Sequence, residues 1–126
     1  MPLPANARLQ AAQSYVRNVR SVLTFMQEQD RESADGRYNA LLARLAETRE
    51  YLRWNPAAGR PARFLDTASA QGRALAARAN ALAAAHGVPL LRELVVRPYV
   101  LLYARSDDRV VLLALKHERE LVFQLA

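Results

Sequence analysis

No cysteine occurs in these 126 residues, so neither a disulfide framework nor a thiolate metal site can form. That absence suits a reducing compartment, and a cytoplasmic protein is the expectation. Lysine is nearly missing as well: Lys116 is the only one among 18 cationic side chains, the rest being arginine. No apolar run reaches the roughly 18 residues that a membrane span requires. The opening "MPLPANARLQ" lacks the charged-then-apolar layout of a secretion signal. His86 has no second metal-ligating side chain at helical spacing beside it, so no metal centre is expected, and no cofactor.

What the chain does have is arginine and apolar mass. The hydrophobic share is 52%, which fits one globular domain over residues 1–126. The net charge is +6. Guanidinium groups stay ionised and grip phosphates or carboxylates with two parallel hydrogen bonds. A small basic protein of this kind expects a nucleic acid or an acidic protein as partner; the plainer alternative is a soluble surface with no such role.

The apolar residues Val16, Val19, Val22, Leu23 and Met26 recur at helical spacing, with Ser14 placed to cap, and predict a helix over 14–30. After the polar break "EQDRES", a second helix is expected over 33–54, capped by Ser33. Its inner stripe is Tyr38, Leu41, Leu42, Leu45 and Leu52, and it ends where Pro56 disfavours helix at Asn55. The two make an antiparallel helical hairpin. Residues 62–69 read as a connector. Residues 69–86 form an Ala-rich third helix with Leu75, Ala79, Leu82 and His86 along its stripe, closed by Gly87 and Pro89. From Leu91 the pattern changes to "LRELVVR", "YVLLYAR" and "RVVLLALKH", three strands whose nearly continuous apolar runs call for cover on both faces. Pro98 and "SDDR" supply the turns. The fold class is α+β, with one layer of helices on an antiparallel sheet. Residues 6–13 favour helix by propensity.

Taken in order, Phe25-Met26, Ala34, Leu52 with "NPAAGRP", "REL" at 92–94, "YVLLY" at 99–103 and the terminal "KHERE" resemble the ParE/RelE superfamily of bacterial toxins. The resemblance covers nearly all of the chain apart from residues 62–90. It implies a first strand within residues 6–13, against local propensity, then the hairpin on a small twisted antiparallel sheet. The helix near 69–86 stands as an insertion. It further implies a toxin held by a small acidic antitoxin in a hetero-oligomer. In the ParE-like branch, to which "REL", "YVLLY" and "HEREL" are more similar, the target is DNA gyrase and no hydrolytic chemistry is involved. In the RelE-like branch the ribosome and mRNA are the target, and arginine and lysine on the sheet hold phosphates. The scarcity of lysine, and Val100 where many members carry arginine, depart from that second branch. A non-toxic binding domain on the same fold is the third reading.

The charged "KHERE" at 116–120 is the focus of the site. Strand alternation puts His117 and Arg119 on one face and Lys116 and Glu118 on the other. For metal-free RNA cleavage, Arg92, His117 and Arg119 could supply base, acid and cations if the strands align them. The favoured expectation is a binding surface without catalytic residues, made of Arg92, Arg97, Tyr99, Tyr103, Lys116, His117, Arg119 and Phe123. Trp54 is a further aromatic candidate, although apolar neighbours suit these aromatics to core positions.

Overall fold

In a computed structural model that describes residues 6–66 and 68–125 (residue 66 in its backbone alone), the first strand forms where propensity alone favours helix. Strand β1, Arg8–Ala11, lies parallel to the last strand of the chain, and its flanks are held by Arg8 N–H to Asp108 O and Ala12 N–H to Leu112 O. Tertiary pairing overrides the local preference.

Helix α1 follows at Gln13–Gln29, and α2 at Arg31–Trp54. The expected caps need correction. Ala12, not Ser14, precedes α1; Ser14 is buried in the first turn, where its hydroxyl donates to Leu113 O. One turn on, the Asn18 carboxamide accepts from Leu115 N–H at 2.9 Å. Having left the sheet at Ala12, the chain thus satisfies the last strand with helix side chains instead of a strand neighbour. At α2 the cap is Asp30, whose carboxylate accepts from Glu32 N–H at 3.2 Å, while Ser33 lies inside the first turn and donates to that carboxylate. Asp30 alone separates the two helices, so the hairpin is tighter than "EQDRES" implies.

Structure begins just before the segment expected as a connector and continues into it. Strand β2, Arg60–Pro61, pairs with the next strand, and a 3-10 turn at Arg63–Asp66 buries Phe64. Helix α3, Ala70–Ala85, is capped by the Ser69 hydroxyl on Gly72 N–H. It ends as its sequence demands: Gly87 takes φ +72°, Gly87 N–H reaches Ala84 O, and Val88 N–H reaches Ala83 O. Its buried stripe is Leu75, Ala79 and Ala83; Leu82 and His86 are half-buried. Strands β3 (Leu90–Val96), β4 (Tyr99–Arg105) and β5 (Arg109–His117) complete the meander.

The sheet order is β1-β5-β4-β3-β2, with β1–β5 parallel and every other pair antiparallel, so the sheet is mixed rather than antiparallel throughout. Nor do the helices form one layer. Tyr15, Val19, Met26, Leu41, Leu45 and Leu52 of the hairpin pack on Leu101, Tyr103, Leu112 and Leu115. Against the opposite face lie α3, Phe64 and Phe123, on Val100, Leu102, Val111 and Leu113. Cover on both faces is what the unbroken apolar runs of β4 and β5 require. A bulge opposite Leu102/Tyr103 shifts the register, so that Leu112 and Leu115 share the hairpin face while Leu113 and Ala114 share the other. Among the described residues no helix is long and apolar enough to cross a membrane.

Candidate functional site

The residues singled out in the sequence fall at two ends of the meander. Register decides which meet. Arg92 pairs with Tyr103, while Tyr99 pairs with His117 and Val96. Four residues of strand separate Arg92 from Val96, roughly 13 Å at strand rise. Arg92 therefore does not reach His117, and the set Arg92, His117, Arg119 is not assembled.

At the Arg92 end, Arg92 and Tyr103 both hold backbone. The guanidinium donates twice to Gly59 O, at 2.9 and 2.6 Å. The Tyr103 hydroxyl accepts from Gly59 N–H at 2.9 Å and donates to Pro56 O at 2.9 Å. Together they tie down the turn that follows α2. Gly59 is needed here for space: a Cβ would lie 2.5 Å from Glu93 O and 2.8 Å from the Tyr103 oxygen. On the other face, buried Glu93 accepts from Arg60 Nε at 2.9 Å, with Arg63 Nε at 3.6 Å. Burial pushes the Tyr103 phenol pKa above its ordinary value, and the Gly59 N–H and the Arg92 charge oppose that shift.

The other end is the charged knot, and it closes on itself. β5 stops at His117; Glu118 and Arg119 form a turn, so Arg119 does not continue the strand face as alternation implies. Glu120 N–H returns to His117 O at 2.9 Å, and the Glu120 carboxylate accepts from His117 N–H at 3.0 Å. Glu118 N–H meets Pro98 O at 2.8 Å, with Arg97 and Glu118 ion-paired at 3.6 Å, which locks this turn to the β3–β4 turn. Lys116 Nζ donates to Glu120 O and stands 5.3 Å from the centroid of the Phe123 ring. Arg119 N–H donates to His117 Nδ1 at 3.1 Å, so the neutral ring carries its proton on Nε2. A general base at this position has its lone pair already engaged.

Tyr99 stacks edge-on against His117, with centroids 5.5 Å apart. Its pKa is raised, first by burial and also by Glu120, against the lowering influence of Arg37 and Arg44. Those two arginines, on α2, act on the ring through charge alone, and Arg37 is itself held by Ser33 Oγ and Met26 O; sequence reasoning missed them because an arginine on an exposed helix face reads as solvated. On the opposite face lies a cleft of about 380 Å³, with Arg60, Arg63, Arg97 and Lys116 around a floor that includes Phe64 and Phe123. Trp54 is half-exposed on α2, outside both clusters. No group of three or more His, Asp or Glu side chains able to hold a metal ion occurs among the described residues.

The arrangement presents cations around buried aromatic rings, with its one histidine held in a turn. Of the cations around the cleft, Arg60 and Arg63 face Glu93, and Arg97 faces Glu118. No protein-family model matches the chain, and no curated protein matches it.

Proposed function

We propose that this chain is a toxin similar to the ParE-like branch of the ParE/RelE superfamily, arresting growth by binding DNA gyrase and neutralised by a small acidic antitoxin. The observation that carries the reading is the order of elements: a first strand, a tight antiparallel helical hairpin, then a three-strand meander whose last strand takes the first as its neighbour. A first strand, a hairpin and three further strands are what the resemblance implies; the parallel pairing of β1 with β5 goes beyond it. Binding is favoured over hydrolysis because Arg92 is engaged with Gly59 O, far from His117, and because His117 Nδ1 is occupied.

The test is direct. Purified protein is added to gyrase with supercoiled plasmid and, separately, to translating ribosomes with a defined message. The expected result is accumulation of cleaved plasmid complexes with the message intact. Message cleavage with gyrase unaffected would replace this reading by a ribosome-dependent endonuclease. Silence in both assays would favour a non-toxic binding domain.

A further inference from the structure

The two edges of the sheet have opposite chemistry. Edge strand β2 is two residues long, and Pro61 has no N–H to offer a neighbour. Edge strand β1 is open. In its parallel ladder with β5, Arg8 and Ala12 turn their N–H groups inward, to Asp108 O and Leu112 O. Alternation then turns the N–H and C=O of Leu9 and Ala11 outward. The outward pair of Ala7 is already taken, by Arg53 O at 2.9 Å and Arg53 Nε at 3.3 Å. The end of α2 thus acts as a neighbour for one residue and then diverges. The gap is a groove of about 860 Å³, lined by Leu9, Gln10, Ala46 and Arg49 among others.

An edge with unpaired backbone donors and acceptors recognises an extended chain. Charge decides which chain. Arg49 and Arg53 border the groove from α2, while Arg8 and Arg109, opposite each other in the β1–β5 register, border it from the other face of the sheet. Glu50 is the single acid in the lining, and it is bound to Arg53 at 3.0 Å. Arg8 and Arg49 have no ion-pair partner among the described residues. A strand added to β1 presents its side chains alternately to the two faces. Arginine on both faces therefore fits acidic residues at successive positions. The same arginines oppose a second copy of this chain, which would bring an identical set of charges.

We propose that the open edge of β1 captures an extended acidic peptide by strand addition. This deepens the reading above and rests on it only for the expectation that the cellular partner is the acidic antitoxin. The probe is a fluorescein-labelled eight-residue peptide of Glu, Asp and Val, titrated into the full chain and followed by fluorescence polarisation. A control peptide carries Gln and Asn in place of the acids. We expect the acidic peptide to bind and the control to bind at least tenfold more weakly. Hydrogen exchange at the Leu9 and Ala11 amides should slow on binding. Leu9→Pro removes an outward N–H without touching the ladder to β5, and should weaken binding at least tenfold. Arg49→Glu, at an exposed helix position, should weaken it at least fivefold and keeps the test valid if Leu9→Pro fails to fold. Absence of binding, equal binding of the neutral control, or unchanged binding by Arg49→Glu would each overturn the proposal. A protein that binds the peptide at this edge yet leaves gyrase untouched would retain this inference and lose the gyrase reading. One that acts on gyrase but ignores the peptide would do the reverse.

Discussion

Tyr103 and Tyr99 lie on the same strand and the same face, both with buried rings, and their surroundings give them different work. At the Tyr103 end, tyrosine and arginine on adjacent strands are consumed by the backbone of the turn at 56–59. At the Tyr99 end, the ring rests on a histidine held by its own turn, and Arg37 and Arg44 lie close enough to lower the phenol pKa against burial. Residue type does not settle which end is structural. What settles it is where the backbone groups nearby find partners: the turn at 56–59 takes them from Arg92 and Tyr103 on the sheet, and the turn at the strand end takes them from its own side chains and from Pro98 O.

The largest expected effect removes both ends together. Leu113→Asp puts an unpaired charge at a position with 0% exposure and should abolish cooperative folding, seen as loss of the thermal transition in circular dichroism. Next comes Gly59→Ala, which acts on the closed end alone. Its methyl would meet Glu93 O at 2.5 Å, and the backbone must shift, at a cost of about 1–3 kcal/mol measured by urea unfolding. A Gly59→Ala protein as stable as the parent would break the contrast drawn between the ends.

Tyr103→Phe should cost about 1–3 kcal/mol, because Gly59 N–H and Pro56 O both lose their partner. The same residue sharpens the comparison through pH. Its folded pKa is raised by burial, so its contribution to stability is complete below the unfolded value of about 10 and is lost as pH rises through the folded value. Unfolding titrations between about pH 9 and 11 should show stability falling, and less steeply in Tyr103→Phe. Tyr15 and Tyr99 are raised in the same direction, so part of the alkaline slope should remain.

The three long strands were legible because β4 and β5 are apolar almost throughout, a pattern that only a sheet covered on both faces satisfies. The second layer that does the covering was harder to read. Ala79 and Ala83 bury little area each, so α3 shows a weak stripe although it seals a whole face. Strand β2 is two residues and leaves no periodic signal. Ser14 and Ser33 looked like caps because their residue type favours capping, but Ser14 is drawn inward to Leu113 O and Asp30 outcompetes Ser33. Of the candidate site, Tyr99, His117, Arg119, Arg97 and Lys116 do share one end. Arg92 belongs to the other because of register, which "REL" alone does not reveal. Arg37 and Arg44 become visible only once α2 is laid across the sheet.

The smallest expected effect is also the most telling. In His117→Asn the carboxamide oxygen stands where Nδ1 was and can still accept the Arg119 N–H, so the turn survives and only the imidazole chemistry is lost. Induced expression of the variant beside the parent chain, at matched protein level, measures whether growth arrest passes through that ring. The account predicts arrest within about threefold of the parent, as for a binding surface with one altered side chain. A parent chain that arrests growth, with a variant weakened about a hundredfold or more, would contradict it and make His117 a proton-transfer residue.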